Sequence, residues 1–132
     1  MHGCDIDEGA ITKANKKYGS LASFQVGGME KLPYEDQSFD VVCCLEGIEH
    51  VPEDIGDLFF KEAIRVLKAD GFLFLSSPYV ESGEHSGNPY HIKEYRTEEI
   101  QQKFAPFFEV ESKFSKKVDV MTIDYFKLKA RK

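Results

Sequence analysis

Two continuously apolar stretches separated by one apolar stripe dominate the pattern of hydrophobic and polar positions along the chain. Phe39 to Leu45 is apolar except for Asp40, and Phe72 to Leu75 is apolar throughout. Short apolar runs bounded by turn-forming residues are typical of buried strands. Between them, apolar residues at helical spacing follow Pro52, which predicts a helix that ends at the Asp70-Gly71 turn.

Weaker signals predict the other elements. Asp7 caps a helix that ends before Gly19, and Thr97 caps a second helix that ends near Phe104. The polar stretch 80–96 is a long loop, of a length that is usually functional or disordered. Short strands are predicted at 23–26, 107–114 and 118–128, and the first four residues form a stub. Alternating strands and helices followed by a hairpin indicate an α/β fold with a mostly parallel sheet.

Bulk properties narrow the function classes. The 132 residues predict one domain, and 42% hydrophobic residues can build its core. A formal charge of −6 argues against a general nucleic-acid binder, because phosphate contacts need clustered Lys and Arg. Cys4, Cys43 and Cys44 do not form a disulfide pattern, and adjacent strand residues face opposite ways. We therefore expect free thiols in a cytoplasmic protein without a membrane span.

A polar segment follows the first apolar strand. Glu46, Glu49 and His50 are spaced so that a helical turn places them on one face. Two carboxylates and an imidazole suit a divalent ion such as Mg²⁺, Mn²⁺ or Zn²⁺, and His91 of the long loop is a candidate fourth ligand. The alternative is an ordinary loop in which His50 acts as a general base or as a structural hydrogen-bonding group.

Three segments together resemble the class I S-adenosylmethionine-dependent methyltransferases. They are GCDIDEGAITKANKKYG, GGMEKLPYEDQSFDVVCCLEGIEHVPED and EAIRVLKADGFLFLSSP, in that order. The resemblance implies a Rossmann-like methyltransferase sheet with helices on both faces and a C-terminal antiparallel hairpin. It also implies that S-adenosylmethionine is the cofactor.

The resemblance assigns cofactor contacts to five residues. Asp5 matches the acidic residue that binds the ribose hydroxyls, and Ile6 matches the apolar residue on the adenine. Met29 matches the position whose backbone N–H faces the adenine. Glu46 and Gly47 match the segment beneath the methionine moiety.

The resemblance also shows two departures. Gly28 stands where the family usually has an acidic residue for the adenine amino group, and Glu30 is a candidate replacement. The family's first strand and its GxGxG turn would precede Met1, so residues 1–132 are expected to form an N-terminally incomplete domain. In the family's sheet that strand is central. Its neighbours would therefore pair directly, the stub would rearrange, or a second copy would cover the gap.

The leading functional expectation is O-methylation of a small-molecule or sugar-like acceptor, with His50 and His91 as the candidate bases. One alternative is a truncated, catalytically silent methyltransferase-like module. Another is a metal-dependent RNA 2′-O-methyltransferase, because Glu46, Glu49, His50 and His91 resemble the metal centre of the small-RNA enzymes. A similar E-x-x-E-H-V segment occurs in ubiquinone-biosynthesis O-methyltransferases.

Overall fold

The computed structural model describes residues 1–132 and contains six strands, three α-helices and one 3₁₀ turn. The bounds, in chain order, are β1 His2–Asp5, α1 Glu8–Tyr18, β2 Ser23–Val26, β3 Phe39–Cys44, the 3₁₀ turn Ile48–His50, α2 Glu53–Val66, β4 Leu67–Val80, α3 Thr97–Phe104, β5 Phe108–Val118 and β6 Met121–Ala130. The α/β class and the C-terminal antiparallel hairpin are confirmed.

The strands form two separate sheets. β1 and β2 pair in parallel as a two-stranded sheet, and the other strands form a four-stranded sheet in the order β3-β4-β6-β5. β3 and β4 are parallel, whereas β6 is antiparallel to both of its neighbours. The carboxyl ends of β3 and β4 therefore lie at one edge, where an open α/β sheet places its ligand site.

The core lies between one face of the four-stranded sheet and two helices. Its side chains come from β4, β6, α2 and α3, and Phe60, Leu75 and Ile100 are almost completely buried. On the opposite face of the sheet, Val41 and Cys43 of β3 remain exposed. The fold therefore rests on a core that is concentrated on one side of the larger sheet.

Several predicted boundaries are wrong. β5 runs to Val118 rather than to 114, and β6 begins at Met121 rather than at 118. The predicted stub at the start of the chain is strand β1, which pairs from His2 to Asp5 with β2. Helix α2 ends at Val66 rather than at the Asp70-Gly71 turn. Leu67 adopts an extended backbone with ψ of 142°. β4 begins there and is much longer than the apolar run 72–75 that predicted it.

β1 and β3 do not pair, so the expectation that these strands close up directly is not met. The carbonyls of Met1 and Asp5 accept hydrogen bonds from Ser23 and Gly27, on the β2 side. Along a strand, the backbone N–H and C=O groups of successive residues point to opposite edges. Those of His2 and Cys4 therefore point away from β2. The His2 ring makes edge contacts with the rings of Tyr34 and Phe39, at centroid distances of 5.9 and 5.5 Å. Aromatic contacts thus connect the sheets where no ladder hydrogen bond does.

A side-chain tie fastens the loop between the two sheets to α2. Arg65 donates to the carbonyls of Leu32 (3.1 Å) and Tyr34 (2.8 Å). It also pairs with Glu62 at 2.7 Å, and Glu62 in turn accepts from the Leu32 N–H at 2.8 Å. Glu62 and Arg65 lie on one turn of α2, so the network holds the loop against this helix.

No helix in this structure is both long and apolar enough to cross a membrane.

Candidate functional site

The residues that the resemblance assigns to the cofactor lie at the carboxyl ends of parallel strands. Asp5 ends β1, Ile6 follows it, and Met29 lies in the loop after β2. Asp5 Oδ1 accepts a hydrogen bond from the Asp7 N–H at 2.8 Å, which orients the carboxylate. Ile6 is 73% exposed, so its side chain is free to pack against a planar ring.

The backbone after β3 is held in an uncommon conformation. Glu46 has a φ of +53°, in the left-handed region that non-glycine residues rarely adopt. Its N–H donates to the hydroxyl of Ser76, a fully buried residue of β4, at 2.6 Å. At Gly47, a Cβ atom would lie only 3.0 Å from both Cys44 Sγ and Met29 Cε. Met29 and the segment after β3 therefore meet in close packing at Gly47.

Glu49, His50 and His91 come together above this segment. One potential ligand atom from each residue lies within 4.8 Å of the other two. The His50 and His91 rings are in edge-to-face contact, with 5.0 Å between centroids. His50 Nε2 lies 3.7 Å from Glu49 Oε1. The structure thus joins the end of β3 to the loop after β4 through three groups that can bind protons or a metal ion.

Glu49 is the buried member of this cluster. Its side chain is only 2% exposed, and Oε2 has no hydrogen-bond partner. Burial raises the pKa of Glu49, although its own backbone N–H and the nearby His50 and His91 oppose the shift. A buried carboxylate oxygen without a partner costs stability unless a proton, a cation or a donor satisfies it.

Backbone hydrogen bonds lock the long loop onto the 3₁₀ turn. The carbonyl of Glu49 accepts from the N–H groups of Ile92 (2.7 Å) and Lys93 (3.2 Å). His50 Nδ1 lies 2.8 Å from the Tyr90 carbonyl, to which only a protonated Nδ1 can donate. These contacts hold His91 beside His50 even though 40 residues separate them along the chain.

A cavity of about 400 Å³ opens beside the loop. It lies between the loop and the turn of the β5–β6 hairpin, and its wall includes Asn88, Val120 and Met121. Asn88 also contacts the His91 ring, since its Nδ2 lies 3.4 Å from His91 Nε2. Asn88 therefore links the cavity to His91, although neither His50 nor His91 lines the cavity.

The predicted site residues fall into two groups. Glu49, His50 and His91 are brought together, whereas Glu46 lies outside this cluster because the 3₁₀ turn begins only at Ile48. Sequence reasoning missed Ser76, Asn88 and Glu94, which hold other site groups rather than facing the ligand position. Of these, only Glu94 had a visible signal, its spacing of three residues from His91.

Comparison with known proteins identifies the class. A family model described as a methyltransferase domain matches residues 1–75, and the chain belongs to this family. A probable S-adenosylmethionine-dependent methyltransferase of Mycobacterium tuberculosis is 30% identical over 100 residues, which cover 73% of this chain and 35% of that protein. A ubiquinone/menaquinone biosynthesis C-methyltransferase of Rickettsia akari is 44% identical over 72 residues, covering 51% and 28%. The chain thus spans about a third of the length of the curated relatives it matches.

Solved structures agree on the fold. The MccD protein superposes with a TM-score of 0.80 at 16% identity, covering 98% of this chain and 79% of that one. A methyltransferase from Methanosarcina mazei gives 0.76 at 17% identity, covering 97% and 81%. The Rossmann-like methyltransferase fold is therefore confirmed.

Proposed function

We propose that this domain transfers the methyl group of S-adenosylmethionine to a hydroxyl oxygen of a small-molecule or sugar-like acceptor. One observation carries the proposal. Two imidazoles converge on a buried carboxylate at the carboxyl edge of β3 and β4, next to the residues expected to bind the cofactor. A cavity of about 400 Å³, whose lining residue Asn88 also contacts His91, supports a small-molecule acceptor.

Each residue has a defined task in this reaction. The sulfonium supplies an activated methyl group, so the protein mainly has to hold the acceptor in line with it. Asp5 would accept hydrogen bonds from the ribose hydroxyls, while Met29 and Gly47 would pack against the cofactor. His50 or His91 would take the hydroxyl proton as the acceptor oxygen takes the methyl group, with the electron pair of the broken C–S bond left on sulfur. Glu49 stabilises the imidazolium that results.

Titration calorimetry with S-adenosylmethionine tests the cofactor site. The wild-type chain should bind, and Asp5→Ala should weaken binding by about 1.5–3 kcal/mol, the usual loss for hydrogen bonds to a charged group. Glu8→Gln, an exposed neighbour on α1, is the matched control and should bind like wild type. Absence of heat at millimolar cofactor would show instead that the domain is a catalytically silent module in this form.

Product analysis tests the chemistry. A base beside a hydroxyl serves O-methylation, whereas the Rickettsia relative is named as a C-methyltransferase. Mass spectrometry and NMR of the methylated product distinguish the two. Recovery of a C-methylated ring would overturn the O-methylation proposal while leaving the cofactor assignment intact.

As an alternative to the base mechanism, we propose that Glu49, His50 and His91 would hold a divalent ion that orients the acceptor hydroxyl. Both Nδ1 atoms are engaged, so an Nε2 lone pair that binds the ion does not also take the hydroxyl proton. Carboxylate and imidazole ligands suit Mn²⁺ or Zn²⁺, and the unpartnered Oε2 of Glu49 supports the fit. Glu49→Gln should abolish Mn²⁺ binding in a calorimetric titration, while Glu46→Gln should leave it unchanged. Equal binding by both variants and wild type contradicts this metal site. A metal-dependent reaction on RNA is a weaker candidate, since the net charge is −6.

A second copy of this chain is the partner we propose for the free edges of β1 and β3, and the small acceptor remains the substrate. Unpaired strand edges favour association, because their N–H and C=O groups can extend a sheet. Light scattering should show mass rising with concentration. A constant monomer mass contradicts this partner.

We also propose a cytoplasmic location. The three free cysteines support a reducing, cytoplasmic setting.

A further inference from the structure

We propose that Glu94 and Asn88 are positioning residues that keep the proton of neutral His91 on Nδ1, so that Nε2 presents its lone pair to the site. This inference deepens the proposed function and depends on it only for the chemical use of that lone pair. Neither Glu94 nor Asn88 is expected to touch the substrate.

Glu94 defines one side of the His91 ring. Its Oε2 lies 2.6 Å from His91 Nδ1, and both side chains are nearly buried, with exposed fractions of 4% and 10%. A carboxylate can only accept at this distance, so Nδ1 must carry the proton.

Ser86 fixes the orientation of the Glu94 carboxylate. The Ser86 N–H donates to Oε1 at 2.7 Å, and its hydroxyl donates to Oε2 at 2.5 Å. Both carboxylate oxygens are therefore engaged from within the same loop. Glu94 is held in place independently of His91, as a group that orients another side chain must be.

Asn88 defines the other side of the ring. The Tyr90 N–H donates to Asn88 Oδ1 at 2.9 Å, so the amide oxygen is already assigned and the NH₂ group must face His91. That NH₂ lies 3.4 Å from His91 Nε2, which can accept only if it carries no proton. Both neighbours of His91 thus require the same tautomer. The Asn88 contact is long, so an acceptor hydroxyl can replace it.

His50 reaches the same state by a different route. The Tyr90 carbonyl accepts from its Nδ1 at 2.8 Å, which leaves Nε2 as the unprotonated nitrogen, 3.7 Å from Glu49. Two imidazoles prepared as hydrogen-bond acceptors therefore flank a carboxylate. Such a site attracts a hydroxyl proton or a cation. The second carboxylate, Glu94, contributes by orienting the His91 ring.

Long-range ¹H–¹⁵N NMR of the histidine rings tests this inference without cofactor or acceptor. In the wild-type chain at a pH where the ring is neutral, His91 should show a protonated Nδ1 and an unprotonated Nε2. Glu94→Leu should convert His91 to a mixture of tautomers. In Glu94→Gln the amide oxygen stays on the Ser86 N–H, so the NH₂ group faces Nδ1 and should move the proton of His91 to Nε2. Glu84→Gln, an exposed change in the same loop, is the matched control.

Two results would overturn the inference. One is a wild-type His91 with its proton on Nε2, and the other is a well-folded Glu94→Leu variant with an unchanged tautomer. If Glu94→Leu does not fold, Ser86→Ala and Asn88→Ala replace it, and each should shift part of the His91 population. Because the spectra need no methyl transfer, failure of the proposed reaction would leave this result standing.

Discussion

The two sheets of this molecule differ in how they are stabilised. In residues 1–26, which contain the two-stranded sheet and α1, Ile11 is the only buried residue. The four-stranded sheet, in contrast, contributes most of a 15-residue core together with α2 and α3. The expected cofactor contacts are divided between these regions, whereas the histidine cluster belongs entirely to the second. The proposed catalytic groups thus lie on the stable part, and Asp5, the expected ribose ligand, lies on the weakly supported part.

This difference follows from strand number and burial. A two-stranded sheet is marginal by itself, and three or more strands with an apolar face are needed for independent stability. β1 and β2 therefore depend on α1, on the aromatic contacts of His2 and on the loop that Arg65 ties to α2. We expect the region to gain order when a ligand bridges the sheets.

The largest expected effect comes from the larger core. Phe60→Ala should lower the free energy of unfolding by about 3–5 kcal/mol, the range for a deleted aromatic side chain in a packed core. Phe60 is 1% exposed and packs among the rings of Phe59 and Phe104. Urea denaturation followed by circular dichroism measures the change.

The matched substitution lies in the smaller sheet. Val26 of β2 is 47% exposed, and Val26→Ala should change the same free energy by less than about 1 kcal/mol. Comparable losses for the two variants would contradict the proposed difference in stability between the two-stranded and the four-stranded sheet.

An intermediate effect is expected at the tie between the regions. Arg65→Met removes the guanidinium, which hydrogen-bonds to four other residues, and leaves the Leu32 and Tyr34 carbonyls without this donor. We expect the free energy of unfolding to fall by about 1–3 kcal/mol. Hydrogen exchange should quicken in residues 27–38 and in β1–β2 before it does in β4. Uniform quickening along the chain would contradict a local tie.

The same tie predicts a smaller dependence on pH. The hydrogen bond with Arg65 holds the pKa of Glu62 below its usual value of 4.5, despite partial burial. Its contribution is therefore complete above pH 4.5 and is lost as the pH falls through the lowered folded-state pKa. Exchange in residues 27–38 should rise below that pH in the wild type. Glu62→Gln should flatten this dependence, and an unchanged profile in the variant would exclude Glu62 as its origin.

Much of the fold was predictable because its local signals are strong. The bounds of α1 and β2 match the prediction, since Asp7 caps the helix by accepting from Gly9 and Ala10. The end of α2 was mispredicted because Leu67 and Lys68 continue the helical pattern, yet Leu67 pairs with Phe39 in the sheet. The sequence does not predict β1, because a four-residue segment that includes a glycine has only a weak strand pattern.

The site was predictable only where its side chains face the ligand position. Glu49, His50 and His91 stood out by residue type, and the fold brings them together. Glu46 was grouped with them on the assumption of a regular helical turn, which its left-handed backbone does not allow. Ser76 and Glu94 act through hydrogen bonds to other site groups, and such partners are set by tertiary contacts rather than by spacing.

Hydrogen exchange with and without S-adenosylmethionine tests the central claim, that a cofactor site bridges a weakly held sheet and a stable one. The cofactor should slow exchange of the amides at Asp5 to Asp7 and Gly27 to Met29 by about tenfold or more. The amides of β6, which are already protected, should change little. Unchanged exchange in both segments at saturating cofactor would contradict the claim.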